Sequence, residues 1–391
     1  GTLRQVMLSA REIPMDQGHE TWVNRHLQYT HGYGLAMNPV NEMTAEGQPR
    51  FWIQDLPPKS EVDIEVDRPE IYYGEETNWF VLANTEEQEL DYAKGEKNVY
   101  THYQGNGGIR VGGIPRRLAL AVYFRDLNLL LSSAIKSESR AMFHRNILER
   151  VQTLAPFLEA DDPYLVVSEG ELFWIIDLYT VSSRFPFSHR SEGVNYLRNS
   201  VKGIVNPYSG EVRFVVVDPE DPMLKTYREI FPSLFTDLDQ VQRRLRDHFR
   251  YPVRLLDIQA HVYNIYHMTD PQVFYNKEDL WEFAQENYHG EEQKVEPYYI
   301  VMRLPGEKQP EFILMLPLVP KDKDNMIAWM AARCDGDNYG KLLLFRFPKE
   351  SLVYGPRQIE ARIDQDTVIS QQLTLWEQKG SQVLRGKFLV I

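Results

Sequence analysis

The sequence predicts an α+β protein, mostly antiparallel sheets and hairpins with a few packed helices, arranged in two lobes. Three observations predict it. Two long runs of β-branched and aromatic residues fold about a short turn: YLVVSEGELFWIIDLYTVS around Glu169 and Gly170, and SVKGIVNPYSGEVRFVVVD around Ser209 and Gly210. Segments with apolar residues at helical spacing stand between such strand-like runs. A charged stretch poor in apolar residues, AQENYHGEEQKVE from Ala284 to Glu296, reads as an exposed connection. It places a main α+β lobe over 1–287 and a smaller, mainly β lobe over 288–391.

In chain order, Thr2 to Ile13 is alternating or amphipathic, and the histidine-containing stretch after it reads as structured loop, because Gly32, Gly34 and Pro39 forbid a long helix. RFWIQDLPP, EVDIEVD, PEIYYGE and NWFVLANT read as short strands separated by prolines. After the glycine-rich stretch that starts at Gly105, Leu118, Val122, Leu127, Leu130 and Leu131 share one broad helical face. A second helix is expected between Ser137 and Phe157, with Met142, Ile147, Val151 and Leu154 inward and Pro156 at its end. A helical tract from about Leu224 to Met268, broken near Pro232 and Pro252, follows the two hairpins. Beyond the charged stretch, EPYYIVMRLPG with EFILMLPLVP and IAWMAARCD with KLLLFRFPK form further hairpins, and LTLWEQ with GKFLVI closes the sheet.

Of the 391 residues 43% are hydrophobic and 25% charged, which is ordinary globular usage and leaves ample material for a core. With 43 basic against 56 acidic residues, a net charge of −13, the chain lacks the electrostatic footprint of a nucleic-acid binder. It has no run of four basic residues, so an anionic membrane would not hold it by charge alone. The 22 tyrosines and 18 phenylalanines suit broad, partly wet contact surfaces. Cys334, the single cysteine, excludes an internal disulfide and a thiolate-rich metal site, and is expected half-buried in or beside a strand. No apolar run reaches the roughly 18 residues that span a bilayer, the nearest being LALAVYF and FILMLPLV. The chain opens without a signal-like segment and stops inside the apolar run KFLVI, so it is expected to be a piece of something longer.

The candidate for ligand chemistry is GNGGIRVGGIPRR, Gly105 to Arg117. Glycine lets a ligand approach the backbone, and Pro115 followed by two arginines marks a helix start whose unpaired N–H groups attract anions. Gly105, Gly107, Gly108, Arg116 and Arg117 are the residues of this anion loop. The alternative is a tight chain reversal whose arginines pair with acidic neighbours. His19, His26, His31 and His102 lack the spacing of a zinc motif. Asp161 and Asp162, and Asp218, Glu220 and Asp221, read as Asp-Pro turns rather than a calcium loop. No serine elbow, P-loop, dinucleotide fingerprint or kinase signature occurs, so no catalytic residue, metal ligand or cofactor is assigned.

Several phrases together resemble one family: YTHGYGLAMNPVN, RFWIQDLPP, PEIYYGE, the YQGNGG to RR stretch, NILERVQTLAPFL followed by DPYLVV, LFWIIDLYT, NYLRNSVKGIVNPYSGEV, YHMTDPQVFYNKEDLWE and QLTLWEQKGSQVLRG. They look like the large soluble region of the bacterial membrane proteins grouped as uncharacterised protein family 0182, and the likeness runs almost end to end. The resemblance implies a parent protein with transmembrane helices upstream, this region displayed outside the cytoplasmic membrane, and a continuation past Ile391. It brings no catalytic residue with it. The expected function is therefore a ligand-binding or interaction module linked to transport or the envelope. Its partners would be its own transmembrane region, a small anion or an envelope protein. The rivals are an envelope hydrolase or transferase with a carboxylate pair or metal site, and a structural scaffold.

Overall fold

The structure is a computed structural model that describes residues 3–13, 21–95, 97–191, 193–288, 291–348, 350–378 and 383. The chain divides into two compact units: a larger one of Arg4–Ser182 with Tyr196–His248, and a smaller one of Ser183–Asn195 with the chain from Phe249 on. The sequence expectation put that division at 287/288 instead. There the charges sit on a hairpin, Gln285–Tyr288 with Glu291–Lys294, whose flanking residues Ala284 and Val295 are buried in the smaller unit's core. Helices accompany strands that pair antiparallel, apart from Val212–Val216 with Phe235–Asp237, so the architecture is α+β as expected.

In the larger unit, the hairpin around Glu169 and Gly170 forms as read. Ser168 faces Glu171 across a two-residue turn, with φ of 53° at Glu169 and 80° at Gly170, the left-handed pair that matches strand twist. Strand Glu171–Ser182 then runs through the middle of a six-stranded sheet, with nine consecutive buried residues from Leu172 to Thr180. A strand covered on both faces reads as a continuous apolar run. Within it Asp177 lies opposite Lys202, and the two buried side chains form an ion pair. Burial pushes the Asp177 carboxyl above its ordinary range, against the pull of the Lys202 ammonium.

The expected helix between Ser137 and Phe157 is shorter than its spacing suggested. Arg140–Met142 is a strand, held between Ile109–Arg110 and Val81–Ala83, and His144 adopts a left-handed φ of 47° that interrupts helical continuation. The helix is Ile147–Leu154, capped by the Asn146 side chain, which accepts from Glu149 N at 3.0 Å. Likewise the tract from Leu224 to Met268 resolves into helix Pro222–Ile230, strand Phe235–Asp237, a single turn Arg243–Arg246 and helix Val253–Tyr266. EVDIEVD forms no strand.

In the smaller unit both expected hairpins pair, and strand Glu311–Pro320 lies inside a five-stranded sheet. Leu314, Leu316 and Leu318 face one core with Leu256 and Ala260 of helix Val253–Tyr266, while Ile313, Met315 and Val319 face a second core. LTLWEQ does not close this sheet. It belongs to helix Thr367–Trp376, started by Asp366, whose carboxylate accepts from Val368 N and Ile369 N at 3.0 Å each. GKFLVI lies outside the described residues. No helix among the described residues is long and apolar enough to cross a membrane.

Candidate functional site

The glycine loop is pressed against its own protein. A Cβ on Gly105 would lie 2.4 Å from the Tyr103 hydroxyl, and one on Gly107 would lie 2.3 Å from the Ser209 carbonyl. Gly108 takes φ of 66° and leaves no room beside the Ala141 carbonyl, 2.6 Å from where a Cβ would sit. Gly107 N donates to the Tyr103 hydroxyl at 2.8 Å, and the carbonyls of Asn106, Gly107 and Gly108 accept from the Arg140 guanidinium. The loop thus turns carbonyl oxygens to an internal cation, and its glycines permit close backbone approach.

Helix α1 (Ile114–Phe124) starts where the sequence indicated, with Gly113 as N-cap and Pro115 in its first turn. Arg117 does not meet the glycines at a common point. Its guanidinium donates to the carbonyls of Leu129, Leu130 and Ser132 at 2.8, 3.0 and 2.8 Å, occupying the open end of the short helix α2 (Asn128–Leu131). Arg116 is exposed and donates to the Arg110 carbonyl at 3.3 Å. Among the five residues of the expected anion loop, Gly107 and Gly108 thus give their carbonyls to Arg140, while Arg117 and Arg116 donate to other carbonyls.

Beneath α1 and α2 lies a separate core. Ala121 and Leu129 pack there with Leu27, Leu82 and Val111, flanked by Leu120 and Phe124, and Phe124 stacks on Phe80 at 4.3 Å. Asp126 joins the two helices, accepting from Trp22 Nε1 at 2.6 Å and from Asn128 N at 2.9 Å. This leaves the other face outward. Ile114, Leu118, Val122, Tyr123, Leu127 and Leu131 are all at least 52% exposed. The broad face of Leu118, Val122, Leu127 and Leu131 exists as the spacing indicated, but it points to solvent, and only Leu130 of that set is half-buried.

A second cluster is buried, and of its members the sequence named only His31. Glu89, with no exposure, accepts four hydrogen bonds: from Asn84 N at 2.9 Å, Tyr103 N at 3.0 Å, the Thr30 hydroxyl at 2.7 Å and the Tyr72 hydroxyl at 2.7 Å. Burial, then the Glu89 charge, pushes the Tyr72 phenol well up, so it stays a donor. His31 joins the cluster through the Thr30 hydroxyl, 2.8 Å from Nδ1, and through Asp91, 3.3 Å from Nε2. Arg145 closes it by donating to the carbonyls of Tyr72, Trp79 and Thr30. These bonds tie positions 30, 31, 72, 79, 84, 89, 91 and 103 together in one buried network.

The remaining sequence candidates separate. His26 is buried and places Nδ1 2.7 Å from the Phe80 carbonyl, so that nitrogen carries the proton; burial holds its pKa below the ordinary value. His19 lies outside the described residues. No group of three histidine, cysteine, aspartate or glutamate residues among the described ones is placed to hold a metal ion. Asp221 caps helix Pro222–Ile230 and accepts from the Thr180, Tyr196 and Ser200 hydroxyls. Although burial opposes ionisation there, these bonds and Met223 N hold its carboxyl below the usual range. Cys334 is buried just after strand Ala328–Arg333. A surface groove of about 580 Å³ beside Arg11, Asp55 and Lys59 has its charges engaged internally, with Arg11 on the Asp55 carbonyl at 2.6 Å and Lys59 on the Asp55 carboxylate at 3.1 Å.

Among families, the sequence pattern described as "Uncharacterised protein family (UPF0182)" matches residues 1–376. A UPF0182 protein of Pelotomaculum thermopropionicum is 53% identical over 398 residues, covering 100% of this chain and 43% of its own length. UPF0182 proteins of Trichodesmium erythraeum and Methanospirillum hungatei are 51% and 49% identical, each over 100% of this chain and 45% of their own. The chain thus spans less than half the length of these curated relatives. No solved structure matches it.

Proposed function

This chain belongs to the UPF0182 family, and on that premise we propose that it is the water-exposed interaction module of a larger membrane-associated protein, displayed on the extracytoplasmic side and linked to transport or envelope function. The observation that carries this reading is the outward face of α1 and α2. Six large apolar side chains stand exposed there, on helices whose inner face already has its own core. Leaving one such side chain in water forgoes about 1.5–3 kcal/mol of burial, so a patch of six gives strong drive to a docking partner.

The rival hydrolase reading has its best foothold in His31 with Asp91 and Glu89. Those groups are bonded to one another and to Thr30 and Tyr72 in the interior, which favours support of the fold over attack on a substrate. Cross-linking tests the docking reading in the intact protein. A photo-reactive residue at Leu118 or Leu131 gives discrete adducts in its native setting, while the same group at exposed Lys94 does not. Equal, diffuse labelling from all three positions refutes it.

A further inference from the structure

We infer that the outward face of α1 and α2 rests on the surface of an anionic lipid bilayer. Ile114, Leu118, Val122 and Leu131 enter the acyl boundary, and Arg110, Arg116 and Arg125 pair with headgroup phosphates. This rests on the interaction-module reading and names its partner.

Charge and position carry it. Ile114, Leu118 and Val122 are spaced four apart on α1 and are 76%, 52% and 70% exposed; Leu127 and Leu131, at 70% and 79%, extend the apolar face from the start of α2 through its last residue. Around them the sign of the charge departs from that of the chain. Between Ile109 and Lys136 stand Arg110, Arg116, Arg117, Arg125 and Lys136 against a single acid, Asp126, in a molecule of net charge −13. Asp126 is occupied by Trp22 and Asn128, and Arg117 by the carbonyls of α2. Arg110, Arg116 and Arg125 are left exposed, the first two close together beside the first turn of α1 and the third at its left-handed C-cap. The exposed acids nearby are Glu138, which accepts from the Ser137 hydroxyl and is attracted by Lys136 and Arg110, and Glu86, whose N–H donates to the Ala134 carbonyl at 2.9 Å.

Apolar side chains on one helical face with arginines around them make the pattern of a helix lying in a membrane interface. The long arginine stems reach from an apolar footing to the phosphates, and Tyr123, 60% exposed, suits the headgroup level. A chain this acidic would be repelled by an anionic surface as a whole. A local cationic collar with an apolar centre meets that repulsion and fixes which face lands.

Co-sedimentation with vesicles tests it, using the purified 391-residue chain. Vesicles of phosphatidylglycerol and phosphatidylcholine in equal parts bind it, and pure phosphatidylcholine binds about 10- to 100-fold more weakly, as three arginines near an anionic surface require. Leu118→Ser with Val122→Ser weakens binding to the mixed vesicles about 10-fold or more. Arg116→Glu with Arg125→Glu brings it down to the level of pure phosphatidylcholine. All four positions are exposed or at a helix end, and unchanged circular dichroism and melting separate these effects from misfolding. Binding to neither vesicle, or equal binding by the variants, overturns the bilayer assignment. If cross-linking from Leu118 in the intact protein still yields one protein adduct, the interaction module stands with a protein partner. A second copy held through this face, seen as a dimer that the leucine and valine substitutions dissolve, also overturns it.

Discussion

Replacing Glu89 with alanine removes the acceptor of four hydrogen bonds at a position without solvent access. The two hydroxyl donors can rotate, and Thr30 keeps His31 Nδ1 within 2.8 Å. The backbone N–H groups of Asn84 and Tyr103 have no such freedom. Each orphaned buried donor costs roughly 1–3 kcal/mol, so the two together cost about 4 kcal/mol, and the vacated side-chain volume adds to this. For a unit of this size each kcal/mol lowers Tm by about 2–4 °C, which places the drop near 8–16 °C. Calorimetry of the chain reads it directly. Glu89→Gln supplies the contrast: its carbonyl can serve the two backbone donors while its amide faces the rotatable hydroxyls, for a loss of about 1–2 kcal/mol. A loss under about 1 kcal/mol for the alanine variant, or equal losses for the two, refutes the view that the backbone donors set the cost.

Two further outcomes concern charge in the larger unit. Lys202→Met leaves the buried Asp177 carboxyl without its counter-ion and is expected to cost about 3–5 kcal/mol by urea denaturation, whereas Lys202→Met with Asp177→Leu recovers most of it. His26 has its pKa lowered by burial, chiefly, so the folded state binds its proton less readily than the unfolded chain. Its contribution to stability is complete above the ordinary value of 6.5 and is lost as pH falls from there through the lowered folded value. Stability profiles of the native chain and of His26→Gln should converge toward acid across that window, and an NMR titration placing His26 at or above 6.5 contradicts the assignment.

Local chemistry was legible where it acted over a few residues. The Glu169–Gly170 turn, the start of α1 at Pro115 and the alternation of Glu311–Pro320 could be read because turn type, capping and strand period leave marks within one segment. Spacing also showed that Leu118 and Val122 share a face. It did not show which side the protein covers, because α1 is apolar on both sides and its inner face is filled by Ala121, Leu120 and Phe124. The glycines of 105–108 were conspicuous, yet their purpose rests on Arg140, Tyr103 and Ser209, the first and last far along the chain. Glu89 carries no mark of its role in the residues beside it. Its donors come from positions 30, 72, 84 and 103, and only folding brings them together.

Strand Glu311–Pro320 carries a consequence for how this chain can vary. Its odd and even residues serve different hydrophobic interiors, so deleting one residue in mid-strand would send each later side chain to the opposite layer at once. Changes of length in that part of the molecule must fall in the turns at its ends, and a library of single-codon deletions across 311–320 should return a gap where the neighbouring loops return survivors.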